Sequence, residues 1–278
     1  LINDREISIK FICVRSDTKD DTLKGYCEKY DIDYLQDANI NSKDFIKQLV
    51  KYECDLFVSM SFNQIFRKEI INLTKYKIIN CHAGKLPFYR GRNILNWALI
   101  NGERDFGITV HYVDEGIDTG NIILQEEYPI SIQDDYATLL KKSYIGCATI
   151  LYKAVSLFKT GRVVGRQQTD IHPVGFYCTQ RTVGDENINW NNSSIDIFNF
   201  IRAISHPGPM ARAFIDGKEV KINKAELISE AVMYKCITGA ILNVDKTGVL
   251  VKTADSFVKI TEYICDEKLR LGDRFDFR

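Results

Sequence analysis

The sequence predicts an α/β chain: a mostly parallel sheet covered by helices, then a smaller β-rich domain. Three observations carry that reading. Short apolar runs alternate with amphipathic stretches through the first half, as they do where helices cover both faces of a parallel sheet. A long amphipathic stretch over 136–158 closes the alternation. Beyond about Gly161 the texture changes, with frequent Gly, Asn and Thr and a series of short β-like runs. The predicted domains are 1–165 and 166–278.

Each element has its own signal. Residues 7–14 read as a strand, 22–30 as a helix, and a short strand follows near 33–35. Phe45, Ile46, Leu49 and Val50 have helical spacing behind Ser42, a plausible N-cap, which predicts a helix over 42–51. Residues 56–60 form a compact apolar strand, 66–73 a short helix and 76–80 another strand. Ligands collect beyond the carboxyl ends of such strands, and Asn80 to His82 lies at one. A helix over 92–101 and strands over 107–113 and 122–126 come next. Asp134 and Asp135 then place negative charge at the start of the long helix, where it suits the helix dipole. In the second part, a helix over 194–204 precedes strands over 212–215, 219–223, 235–242, 249–253 and 257–262, a set that can close like a barrel. Asp216-Gly217 between the first two is a hairpin signal.

Bulk properties exclude several classes. Apolar residues make up 45% and charged residues 27%, an ordinary balance for a chain that buries a core. Lys plus Arg and Asp plus Glu are 37 each, so no global field is available to capture a polyanion. No membrane span and no signal peptide is legible, and a cytoplasmic chain is expected. The eight cysteines show no CxxC spacing, so reduced thiols are expected, with neither disulfides nor a metal site.

The chemistry concentrates in Asn80-Cys81-His82-Ala83-Gly84-Lys85-Leu86-Pro87-Phe88-Tyr89-Arg90-Gly91 and in Asp114-Glu115-Gly116-Ile117-Asp118-Thr119-Gly120. Passing an acyl group to an amine needs a fixed donor for the oxyanion, a base for the attacking nitrogen and an acid for the leaving one. Asn80 offers the donor and His82 a group that titrates near neutrality. Asp118 can raise the pKa of His82, hold its orientation, or order a relay water. One residue separates Asn80 from His82, so on extended backbone both face the same way.

Asn80-x-His82, Leu86-Pro87-x-Tyr89-Arg90-Gly91 and Asp114-x-Gly116-Ile117-Asp118-Thr119-Gly120 also resemble the N10-formyltetrahydrofolate-dependent formyltransferases. The resemblance implies a Rossmann-like first domain, a smaller β-rich second one, and Asn80, His82 and Asp118 as catalytic triad. It implies that the folate donor lies across Phe62, Asn63, Gln64, Ile65 and Phe66 and the loop carrying Asp114 and Ile117; core packing is the competing reading of Phe62, Ile65 and Phe66. Chains of this kind open with a strand, a glycine-bearing turn and a helix before the strand placed at Ile7. Truncation is the expected reason for their absence here, because losing a central strand would expose backbone and apolar surface.

Three branches differ in the amine they formylate. Glycinamide ribonucleotide formyltransferases resemble the first domain alone. Methionyl-tRNA formyltransferases grip tRNA, whereas residues 171–278 hold 14 basic and 14 acidic side chains and lack a basic signature. Sugar-nucleotide N-formyltransferases resemble the chain over Arg90 to Gly102, His111 to Asp114, Phe176-Tyr177 to Thr182 and Asn189-Trp190. The expected acceptor is therefore a dTDP-linked 3-amino or 4-amino deoxysugar destined for an O-antigen or similar surface polysaccharide. Methionyl-tRNA is the alternative, and a non-catalytic folate or sugar-nucleotide binder the second. Lys85, Arg90, Arg92 and Arg181 are candidates for the diphosphate, and Tyr89, Tyr177 and Trp190, with Asn93, for the nucleobase or sugar. The resemblance also implies a homodimer.

Overall fold

The computed structural model describes residues 1–276. In chain order its elements are β1 (Phe11–Val14), α1 (Asp21–Tyr30), β2 (Asp33–Gln36), α2 (Lys43–Val50), β3 (Phe57–Met60), α3 (Lys68–Ile71), β4 (Ile78–His82), β5 (Arg90–Gly91), α4 (Ile94–Ile100), β6 (Asp105–Tyr112), β7 (Ile122–Pro129), α5 (Tyr136–Lys159) and β8 (Tyr177–Cys178). They continue with α6 (Ser194–Ala203), β9 (Ala211–Ile215), β10 (Lys218–Leu227), β11 (Ile241–Asp245), β12 (Gly248–Lys252) and β13 (Phe257–Ile264). Two compact units result: Leu1–Arg90 with Gly107–Glu126 and Ile145–Phe176, and Gly91–Phe106 with Glu127–Tyr144 and Tyr177–Arg278.

In the first unit β1 runs parallel to β2, and β3 parallel to β4. The larger sheet has the order β3-β4-β6-β7, with β6 antiparallel to β4. Asp20 caps α1 by accepting from the Leu23 amide, and Ser42 caps α2 by accepting from Phe45, each satisfying a backbone donor the helix cannot. The apolar faces of these elements meet in a cluster of Leu35, Ile40, Phe45, Leu49, Ile70, Ile71 and Ile78, all 8% exposed or less. The strand predicted over 7–14 shortens to Phe11–Val14, because its partner β2 is four residues long. β4 runs two residues beyond the predicted 76–80, which places His82 on the strand itself.

The second unit carries a five-stranded antiparallel sheet, β11-β12-β13-β10-β9, with α6 packed against β10 and β13. The sheet runs from one edge at β11 to the other at β9. Asp216 and Gly217 have φ of 48° and 77° between the paired Ile215 and Lys218, the doubly left-handed turn that an Asp-Gly pair favours. The strand predicted over 235–242 is not formed there: Gly239 sits at φ 77° and breaks the extended run, so β11 starts at Ile241. Among the described residues, no helix is long and apolar enough to cross a membrane.

Candidate active site

β4 and β6 each place two polar side chains on one shared face. Their antiparallel register sets Asn80 opposite His111 and His82 opposite Thr109. Directly opposed residues project from the same face, so two polar-x-polar patterns zip into a four-residue patch inside an apolar sheet. Thr109 and His111 are 0% and 2% exposed, a burial that polar groups tolerate only when hydrogen-bonded. Cys81 points to the opposite face, where its thiol lies against Cys147. The Cys147 side chain and burial push the Cys81 pKa up, so the cysteine between the two site residues rests as the thiol.

His82 is anchored by its far nitrogen. Nε2 lies 2.7 Å from the Tyr89 carbonyl oxygen. A carbonyl only accepts, so Nε2 carries the proton and Nδ1 presents the lone pair. Nδ1 in turn lies 3.6 Å from Asp118 Oδ2. Gly84 makes this packing possible: a Cβ there would come within 2.4 Å of both His82 Nε2 and the Tyr89 carbonyl oxygen. Around that corner Thr109 Oγ1 donates to the Gly84 carbonyl at 2.6 Å, and Gln125 Nε2 donates to Thr109 Oγ1 and the Leu86 carbonyl at 2.8 and 2.9 Å.

Asp118 arrives from the turn between β6 and β7. Its φ is 53°, a left-handed conformation that Asp tolerates better than most side chains. Asp114 shapes the turn, its Oδ1 accepting from the Gly116 amide at 3.1 Å and the Thr119 hydroxyl at 2.5 Å. Gly120 closes it: a Cβ would lie 1.8 Å from the Tyr112 carbonyl oxygen. Gln168, 4% exposed, then straps the turn down. Its Nε2 donates to the Asp118 and Gly120 carbonyls at 2.8 and 2.9 Å. Its Oε1 accepts from Arg90 Nε and Nη2 at 3.1 and 2.6 Å.

Asp118 therefore faces both histidines, with Oδ1 3.4 Å from His111 Nε2. Burial pushes the His82 imidazole below its ordinary pKa, opposed by the Asp118 charge and the Tyr89 carbonyl and reinforced by His111. The result is a neutral base beside a carboxylate able to stabilise the cation once a proton arrives.

The residues expected at the folate site divide by role. Phe62 and Phe66 stack at 5.7 Å and pack against the first unit's core cluster. Gln64 ties its loop to the preceding turn, accepting from the Ile40 amide and donating to the Asp37 carbonyl. Asn63 Oδ1 is buried without a hydrogen-bond partner among the described residues, while Ile65 and Ile117 are 60% and 51% exposed.

The residues expected to meet the acceptor lie in both units. In the first, Lys85 is half-buried, Arg90 is engaged by Gln168, and Tyr89 is buried with its ring edge-on to Phe176 at 5.0 Å. In the second, Arg92 Nη1 donates to Gln180 Oε1 at 2.6 Å, and Asn93 Oδ1 accepts from the Arg181 amide at 2.9 Å. The Arg181 guanidinium lies over the Trp97 and Phe200 rings and donates to the Asp185 carbonyl; burial lowers its pKa. Tyr177 is exposed. Trp190 is 1% exposed and stacks on Phe275 at 4.9 Å, inside that unit's core.

Sequence reasoning missed His111, Thr109, Gln125 and Gln168 as parts of the site. For the first two a signal existed: Gly-Ile-Thr-Val-His-Tyr is an apolar strand interrupted at alternate positions, the same pattern as Asn-Cys-His. Gln125 and Gln168 act on backbone carbonyls, and no local pattern marks such partners.

Residues 12–152 match the model of the formyl transferase family, and residues 181–272 that of the formyl transferase C-terminal domain. The methionyl-tRNA formyltransferase of Fusobacterium nucleatum is 33% identical over 251 residues, covering 90% of this chain and 80% of that one. That of Thermodesulfovibrio yellowstonii is 36% identical over 193 residues, 69% of this chain and 61% of its own length. Two solved structures share the fold. WlaRD, a sugar 3N-formyl transferase crystallised with dTDP and 5-N-formyl-THF, is 24% identical at a TM-score of 0.65, with 93% of this chain and 88% of that one covered. HypX from Aquifex aeolicus is 22% identical at a TM-score of 0.63, covering 94% of this chain and 47% of its own.

Proposed function

Because the chain belongs to the formyl transferase family, we propose that it moves a formyl group from N10-formyltetrahydrofolate to a primary amine, with Asn80, His82 and Asp118 as catalytic residues. The observation that carries this reading is the His82 arrangement: Nε2 tied to a carbonyl, and Nδ1, 3.6 Å from Asp118, left with the lone pair. The Asn80 amide supplies an N–H to the oxyanion that forms as the amine adds to the formyl carbon. His82 Nδ1 takes the proton from the attacking nitrogen, Asp118 stabilises the resulting imidazolium, and the proton passes on to the departing nitrogen. The unpartnered Asn63 oxygen suits the N–H donors of a pterin, and Ile65 and Ile117 offer apolar surface to its ring. Those residues fit the donor.

The acceptor has two readings. Methionyl-tRNA has the stronger support from the comparisons, since relatives of that name reach 33% identity over 80% of their length. This reverses the order expected from sequence, in which the amino sugar came first. One specific observation favours a nucleotide-linked amino sugar: the 14 basic and 14 acidic residues over 171–278 give no net charge with which to hold tRNA.

Incubating the full chain with N10-formyltetrahydrofolate and, separately, initiator methionyl-tRNA and a panel of dTDP- and UDP-linked amino sugars tests the proposal. Formylated methionyl-tRNA establishes the first reading, and a formylated sugar the second. Absence of formyl transfer to every acceptor in the panel would sink both.

A further inference from the structure

Resting on the formyl-transfer reading above, we propose that His111 is a positioning residue for that reaction, fixing which way the Asn80 amide faces. Its own ring is oriented first. Nδ1 lies 2.7 Å from the Tyr112 carbonyl oxygen, and since a carbonyl only accepts, Nδ1 carries the proton. With a single ring proton, held at Nδ1, the ring presents a lone pair at Nε2. Asn80 Nδ2 sits 3.3 Å from that lone pair and donates to it.

Turned over, the amide would bring its oxygen against the same lone pair, leaving two acceptors facing each other at a site where His111 is 2% exposed. Buried polar groups left in that state cost free energy, so the ring selects one amide orientation. With one N–H of Asn80 held by His111, the other is presented to the substrate oxyanion. The strands enforce the pairing, because Asn80 and His111 are register partners of β4 and β6. Asp118 Oδ1 lies 3.4 Å from the same His111 nitrogen, so a turned amide would set a second acceptor against it. His82 also faces the His111 ring, edge-on at 6.5 Å.

The test uses the full chain and whichever acceptor turns over. We expect His111→Leu to lower kcat by about 10- to 100-fold, a part of what losing an oxyanion donor costs, with the KM for the formyl donor changed less than about twofold. His111→Gln, whose side-chain oxygen can accept from Asn80, should recover most of that loss. In an Asn80→Ala background His111→Leu should cost almost nothing further, since coupled residues are not additive. Should His111→Leu not fold, His111→Phe fills the ring volume and carries the same comparison.

A readout independent of turnover is available because the chain has four histidines. Two-bond proton–nitrogen spectra of the ligand-free protein should show His111 as the Nδ1–H tautomer. An Nε2–H tautomer, full additivity with Asn80→Ala, or a His111→Leu kcat within twofold of wild type would each overturn the proposal. An inactive wild-type chain would instead fail the formyl-transfer reading, which the spectra do not depend on.

Discussion

His82 is the residue whose environment makes the clearest prediction. Burial holds its pKa below the ordinary 6.5, so the ring is neutral and able to accept a proton throughout the neutral range. We expect kcat/KM to be flat near pH 7 and to fall on the acid side, at a pH below 6.5. The same shift bears on stability. Between the unfolded value and the lower folded one, the unfolded chain binds more protons, so the contribution is complete above 6.5 and lost as pH falls through that window. His82→Asn should keep formyl-donor affinity and lose roughly 10²- to 10⁴-fold in turnover, the range of a general base. Equilibrium binding beside a pH–rate profile checks both halves; a variant with near wild-type rate would remove His82 from the mechanism.

At the scale of elements, the site depends on how the Asp118 turn is held to the end of the sheet. Gln168 does this through two backbone carbonyls while Arg90 engages its oxygen. Gln168→Glu keeps an acceptor for Arg90 but turns both donors into a repelling carboxylate. It should lower kcat by roughly 10- to 100-fold, the cost of displacing a group at the reacting centre by about an ångström. If kcat is unchanged, the turn is held by other means. Much of this scale was legible beforehand. Ser42 announced α2, Asp216-Gly217 announced the β9–β10 hairpin, and Asn80 with His82 announced their shared face. What was not legible came from partners distant in sequence. Gln168 meets Asp118 fifty residues away, and Arg181 is occupied by two aromatic rings that spacing does not link to it. Trp190 looked like a ligand-facing aromatic because its burial against Phe275 is a tertiary fact.

For the whole molecule, the balance of 37 basic and 37 acidic residues bears on which acceptor the chain can hold. Each phosphate neutralised in a complex with a nucleic acid releases counterions and steepens the dependence of affinity on salt. We expect kcat/KM for the acceptor to fall by less than about two decades per decade of salt, as suits few phosphate contacts. A steeper fall would reveal a basic face that the overall count conceals, and would favour methionyl-tRNA as the acceptor.

The corner at Gly84 has a consequence for the base it seats. With a Cβ at 84 only 2.4 Å from the imidazole and from the Tyr89 carbonyl oxygen, any larger residue at this corner must displace one of them. A side chain at 84 is thus felt at the base itself, through the hydrogen bond that fixes its tautomer.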